Sequence, residues 1–278
     1  MVGRESPAIA RRQLAAELRR LRHAAGRTLE DVAEVLGCTA AKISRLETGI
    51  VRVQPEDASN LLDVYDVSAD RRREFLALLH ESHRREWWHS YVDVVPPAAG
   101  KFYSLEAAAT GVQDYSHGLL PGLLQTEQYA RALIGSGDEK SKVVDRRVEL
   151  RMRRQELLTT DGAPVCTFLI GESALRTRVG SRQVMIGQFE RLLDVGTRSN
   201  VTIRIVPSIV HPATGVSFII LHFTPAEHPS VTFIEALTRN IFVEELREVR
   251  VYAETFKAVE SISLSVEDSR RLLGGPAR

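Results

Sequence analysis

The stretch from Thr28 to Gly49 leaves the first part of this chain little freedom in how it folds. Thr28 can cap a helix, with Asp31 three residues on in the capping-box position. Val32, Ala33, Val35 and Leu36 supply its apolar side, and Gly37 ends it after barely two turns. Thr39 can cap a second short helix carrying Ala41, Ile43 and Leu46, closed by Gly49. Ala33 is small where the two helices cross, and Gly37 can take the left-handed conformation that reverses the chain. Val32, Leu36, Ile43 and Leu46 pin the pair onto helices on either side. Leu14, Leu18, Leu21 and Ala25 mark the helix before, stopped by Gly26. Pro55 opens the helix after, which turns Ala58, Leu61, Leu62 and Tyr65 inward. A further helix from about Asp70 holds Phe75, Leu78, Leu79 and Trp87 on one side. Up to about Trp88 the chain reads as helices alone.

Two short helices joined by a glycine-containing turn form a helix-turn-helix. The second helix of such a unit lies in the DNA major groove, with its N-terminal residues at the base edges. Charge agrees with this reading. Residues 1–54 hold ten Lys/Arg and six Asp/Glu, whereas residues 55–90 hold five and eight. The whole chain is nearly neutral, with 37 basic and 36 acidic side chains, so only such a local surplus can argue for nucleic acid. The segment resembles the XRE family of helix-turn-helix transcriptional regulators, with a lambda-repressor-like bundle. The matching features are Leu21-Arg22 before Gly26, then Thr28, Ala33, Gly37 and Ile43-Ser44-Arg45-Leu46-Glu47-x-Gly49. The resemblance implies base-edge contact from Ala40, Ala41 and Arg45. It assigns Thr39, Lys42 and Ser44 to the backbone or flanking bases, and Arg52 joins this DNA-binding set. It also implies a structural pair between Arg22 and Glu47. The chain departs from the family at Leu29, where many members place a glutamine that touches phosphate. Ala40 and Ala41 offer only methyl contacts, so direct readout rests on Arg45 and Lys42, and indirect readout supplies the rest. A helical dimerisation or partner-binding bundle with no DNA role is the other reading of these helices.

The periodicity changes after Val94-Val95-Pro96-Pro97-Ala98-Ala99-Gly100, which divides the chain into domains at 1–90 and 91–278. The spacing predicts helices over Leu105–Tyr115, Thr126–Ile134, Ser141–Leu158, Arg182–Gly196 and Glu244–Ser261. Strands are predicted over Val165–Ile170, Val201–Val206, Phe218–Phe223, Val231–Ala236 and Ile241–Val243. The second domain is thus expected to be α+β, with a four- or five-stranded mixed sheet. Several strings here resemble the C-terminal domain of the actinobacterial antitoxin-like regulators of the Scr type, over about residues 100–273. They are Leu105–Ala109, Leu120-Pro121-Gly122-Leu123-Leu124-Gln125-Thr126 and its continuation to Leu133, Arg147-x-x-x-Arg151-Met152-x-Arg154-Gln155, Gly171–Arg176, and Val201–Pro207 before Phe218. The resemblance implies a regulator that responds to a very small partner protein encoded nearby. Leu120-Pro121-Gly122 reads either as a fixed turn that docks Leu123, Leu124, Tyr129 and Leu133, or as the lip of a groove for a partner peptide. Arg147, Arg151 and Arg154 share one helix face. They are candidates for partner binding, and a solvated or internally paired face beside Glu149 and Glu156 is the alternative.

Catalysis and metal binding find little footing. His80 and His83 sit three apart on a helix, with His89 beyond, but no Glu-x-x-His or Cys-x-x-Cys grouping completes a site. His211-Pro212-Ala213-Thr214-Gly215 reads as a turn, neither a phosphate loop nor a nucleophile elbow. His222 and His228 show no nucleophile neighbour, and Glu235 and Glu244 at strand ends are explained by solvation. Cys38 and Cys166 are too few for a disulfide scaffold. Cys38, beside the cap of the second short helix, reads as an apolar filler with a redox switch as the alternative, and Cys166 reads as core. No apolar run approaches the length of a membrane span, and Arg4, Glu5, Arg11 and Arg12 stand where a secretion signal needs an apolar core. The expectation is a cytoplasmic, homodimeric, DNA-binding transcriptional regulator, with no enzyme activity, cofactor, metal or membrane. Its second domain would dimerise and sense a small partner protein. An antitoxin-like protein that sequesters that partner is one alternative. Another is a small-molecule-responsive regulator with a cavity between the sheet and the Ser141–Leu158 helix.

Overall fold

The structure, a computed structural model, describes residues 7–96, 99–137, 140–224, 229–236 and 239–275. The chain falls into two units, Met1–Trp87 and Trp88–Arg278. Helices α1 (Pro7–Ala24), α2 (Leu29–Val35), α3 (Ala40–Glu47), α4 (Pro55–Val64) and α5 (Ala69–Ser82) make up the first. One core gathers Leu14, Leu18 and Leu21 of α1, Val32 and Ala33 of α2, Ile43 and Leu46 of α3, Leu61 and Leu62 of α4 and Phe75 and Leu79 of α5. Each of the first three helices is separated from the next segment by a glycine at positive φ: Gly26 at +66°, Gly37 at +60° and Gly49 at +69°. That region is open to glycine at no steric cost, so three sharp stops follow from sequence. Trp87 lies beyond the end of α5, which closes at Ser82.

The second unit is a six-stranded mixed sheet with helices. Its elements are α6 (Ala99–Ala108), β1 (Gly111–Ser116), α7 (Glu127–Ile134), α8 (Ser141–Gln155), β2 (Val165–Gly171), α9 (Glu172–Arg176) and α10 (Arg182–Val195). There follow β3 (Val201–Val206), β4 (Phe218–His222), β5 (Val231–Glu235), β6 (Asn240–Val243), α11 (Leu246–Ile262) and α12 (Val266–Gly274). Strand order is β3-β2-β1-β4-β5-β6. The β1–β2 and β2–β3 pairs are parallel, with Tyr115 opposite Leu169 and Phe168 opposite Ile203. The remaining pairs are antiparallel. Phe256 and Val259 of α11 cover one face, over Tyr115, Leu169, Phe218 and Ile220. On the other face Phe102 of α6 stacks on Phe233, with ring centroids 4.1 Å apart. The β3 edge is closed where Ile205 N donates to Ser269 Oγ at 2.9 Å and Ile205 O accepts from Leu264 N at 2.8 Å.

The strand count of four or five is corrected to six among the described residues, and the missing strand is the central one. A helix was expected to run to Tyr115, but α6 stops at Ala108 and residues 111–116 form β1. Flanked by β2 and β4 and covered on both faces, β1 buries Val112, Asp114 and Tyr115. Such a strand shows no apolar/polar alternation, which is the pattern a half-exposed strand would advertise.

Candidate nucleic-acid interface

The second short helix is positioned by its own first turn. Thr39 is extended and its hydroxyl accepts from Lys42 N at 3.2 Å. Before it, Thr28 and Asp31 form a full capping box: Asp31 N donates to Thr28 Oγ1 at 3.1 Å, and Thr28 N to Asp31 Oδ2 at 2.8 Å. Those bonds hold the Asp31 carboxyl below the usual carboxylate range. Ile43 and Leu46, each 1% exposed, face the core, so helical geometry turns Ala41 and Arg45 outward. Thr39 and Arg52 are also exposed, and Ser44 is half-buried. Arg45 lies back along its helix, its Nε donating to Ala41 O at 3.2 Å. Ala40 packs partly against the core, so only part of its methyl reaches solvent.

Two ion pairs fix this helix. Arg22 of α1 grips Glu47 in a bidentate pair, Nε to Oε1 at 2.8 Å and Nη2 to Oε2 at 2.9 Å, with a third bond from Nη1 to Arg27 O. Both side chains are almost wholly buried. Lys42 Nζ reaches Asp57 Oδ1 at 2.6 Å, tying α3 to α4 and holding the ammonium above its ordinary pKa. Asp57 was not singled out in the sequence; its position one turn into a Pro-started helix, where acidic residues favour the dipole, was the available signal.

Arg147, Arg151 and Arg154 of α8 do not form an exposed partner face. Arg154 is 10% exposed and makes a bidentate pair with Glu106 of α6, Nη2 to Oε1 at 2.7 Å. It lies over the rings of Phe102 and Tyr103. Gly122 sits so close that an added Cβ would stand 3.1 Å from Arg154 Nη1. Arg151 donates to Gln125 Oε1 at 2.7 Å. The partner-binding expectation for Arg151 and Arg154 is therefore corrected, because burial demanded internal partners. Those partners are Glu106 and Gln125, and not the neighbours Glu149 and Glu156, which bind Arg146 and Arg153. Arg147 is half-buried and, with Arg151 and Arg154, lines a cavity of about 570 Å³ between α8, α6 and the β5–β6 turn.

The Leu120–Thr126 string is a fixed turn. Leu123, Leu124 and Tyr129 are buried, and three glutamines satisfy its carbonyls: Gln125 reaches Leu120 O, Gln155 reaches Gly122 O and Gln125 O, and Gln188 reaches Leu124 O. Elsewhere an open groove of about 990 Å³ runs between α10 and α12, with Leu175, Met185, Phe189 and Leu272 along it. Arg178 and Arg182 are exposed on its rim.

The histidines and acids sort differently from the sequence reading. His83 is half-buried and bonded to Val53 O at 3.0 Å, whereas His80 and His89 are exposed. No group of three metal-ligating side chains comes together among the described residues. His222 does have a hydroxyl neighbour: Ser230 Oγ is 2.9 Å from Nδ1, while Nε2 meets Gln113 Oε1 at 3.0 Å. The sequence placed no nucleophile there because Ser230 arrives by strand pairing. His211 bonds the Tyr115 hydroxyl at 3.2 Å, and His228 lies outside the described residues. Glu244 pairs with Lys101, and Glu235 lines the smaller cavity. Asp114 is buried on the same side as Glu106, and burial raises its carboxyl to about 7 against the pull of Ser116 and Arg154. Cys38 packs partly against the first core, and Cys166 is buried, its thiol pushed up to about 12. No helix among the described residues is long and apolar enough to cross a membrane.

Comparison with known proteins agrees with this geometry. Residues 13–75 match the model of a helix-turn-helix domain (HTH_31), which supports a DNA-binding regulator. No curated protein and no solved structure matches the chain. Residues 99–275, more than half of the 278, match the model of a domain of unknown function (DUF5753), and the chain belongs to that family.

Proposed function

We propose that this chain is a sequence-specific transcriptional regulator of XRE type that binds its operator as a homodimer and takes its signal through the second unit. The observation that carries the DNA reading is the outward face of α3. Ala41, Ser44 and Arg45 reach solvent along one side while Ile43, Leu46 and Glu47 anchor the other. A two-fold protein calls for a two-fold site, with half-sites about one helical turn (~34 Å) apart. Arg45 is the base-reading residue, and Thr39, Ser44 and Arg52 serve the backbone, while Lys42 is held by Asp57.

The signal is a small partner protein, as the resemblance to Scr-type regulators implies. With α8 engaged internally, the surface that suits it is the groove between α10 and α12. Its apolar length and the exposed Arg178 and Arg182 fit an acidic, apolar partner segment. No catalytic step is assigned. Beside the Ser230–His222 contact stands the neutral Gln113 amide, which gives an imidazolium none of the stabilisation a carboxylate would.

The test is Arg45→Ala against an operator found by genome-wide footprinting. An arginine at guanine is worth about 1–3 kcal/mol, so cognate affinity falls roughly 5- to 150-fold while random-sequence affinity holds. Equal loss on both DNAs would assign Arg45 to phosphate alone and overturn the base-reading role.

A further inference from the structure

The cavity beneath α8 has an unusual electrostatic lining. Arg147, Arg151 and Arg154 of the helix stand with Arg239 of the β5–β6 turn, and Glu235 is the carboxylate among the lining residues. Glu106 neutralises Arg154. Arg151 is different. Its one hydrogen bond goes to the neutral Gln125 amide, and no carboxylate lies within ion-pair distance among the described residues. Burial and the like charge of Arg154 together press its pKa below the ordinary arginine value, against the weaker pull of Tyr103, Glu235 and Glu106. A guanidinium held in this way is costly to keep unless an anion meets it. The remaining walls are apolar or aromatic, formed by Val94, Ile134, Leu150 and Tyr103. About 570 Å³ falls within the size range of small-ligand sites, which are mostly apolar with a few converging polar groups.

We infer that this cavity binds a small organic anion, with a carboxylate or phosphate group received by the guanidinium groups of Arg151 and Arg239 and an apolar body against Leu150 and Tyr103. Planar guanidinium groups match the two oxygens of either anion, which a lysine pocket would not do as selectively. Neutral and cationic ligands are disfavoured by the surplus of arginine. The claim concerns binding to the second unit and stands apart from the DNA reading of the first.

Calorimetric titration of the full chain at low salt tests it, with citrate and glycerol 3-phosphate as separate probes and glycerol as the uncharged control. Saturable binding of one molecule per chain is expected for at least one anion, and the anion that binds names the chemical class. Arg239→Glu, on an exposed residue, is expected to weaken binding at least about tenfold, and Arg151→Gln likewise. Arg153→Ala, on the same helix but paired with Glu156 away from the lining, leaves affinity unchanged. Should Arg151→Gln fail to fold, Arg239→Glu still decides. The inference is overturned if neither anion binds by ~10 mM, if Arg239→Glu binds as well as the parent chain, or if glycerol matches the anions.

Discussion

Truncating Glu47 to alanine removes the anion from a guanidinium that has almost no water to replace it. Arg22 and Glu47 keep only 9% and 5% of their side-chain surface exposed and share two bonds at 2.8 and 2.9 Å. Breaking a buried pair by deleting one partner costs about 3–5 kcal/mol. Arg22 keeps its bond to Arg27 O, which places the cost near the lower end. A loss of about 3 kcal/mol is a large share of the roughly 5–15 kcal/mol that holds a domain folded. With a urea slope of about 2 kcal/mol per molar, the midpoint falls by about 1.5 M. Urea unfolding read by peptide-resolved hydrogen exchange reports the first unit separately from the second. The companion variant Arg22→Met/Glu47→Leu replaces both charges with apolar groups and is expected to recover most of the loss. A midpoint shift below about 0.5 M for Glu47→Ala would refute the reasoning. So would a double variant as unstable as the single one.

Two further outcomes follow from buried polar groups. The Tyr65 hydroxyl is buried with no hydrogen-bond partner among the described residues, and burial raises its pKa, so Tyr65→Phe is expected to leave stability within about 0.5 kcal/mol or increase it, as read by urea midpoint. Burial raises the Asp114 carboxyl from the ordinary carboxylate range to about 7 in the folded chain. The unfolded chain therefore binds fewer protons across that window, and this group's contribution falls as pH rises through it. Between about pH 5 and 8 the loss is about 2–3 kcal/mol, and Asp114→Asn flattens that slope in unfolding curves taken at both pH values.

The first unit was readable residue by residue because its signals are local. Capping threonines, positive-φ glycines and helical apolar spacing all act within a turn or two of chain. The Arg22–Glu47 pair, 25 residues apart, became readable only through resemblance to a known family. In the second unit the short local signals again located α7, α8, α10 and most strands. What escaped was set by distant partners. β1 is a strand because β2 and β4 flank it, and nothing in Gly111–Ser116 alternates. Arg147, Arg151 and Arg154 share a helix face as their spacing requires, yet whether that face meets water or Glu106 depends on where α6 packs. A glutamate inside the apolar string Leu105-Glu106-Ala107-Ala108 was the trace of that pairing. Likewise Ser230 meets His222 across an antiparallel pair, a contact no linear pattern encodes.

The contact between Lys42 and Asp57 bears on how strongly this protein would cling to arbitrary DNA. A lysine already matched by an aspartate 2.6 Å away has little counter-charge left to offer a phosphate, and its partner repels the same phosphate. General attraction to the duplex grows with the number of phosphates neutralised, so each cation matched within the fold lowers the background without touching contacts made to bases. Tying the reading helix to its neighbour with that lysine thus trades grip for discrimination, leaving search along non-cognate sequence brief.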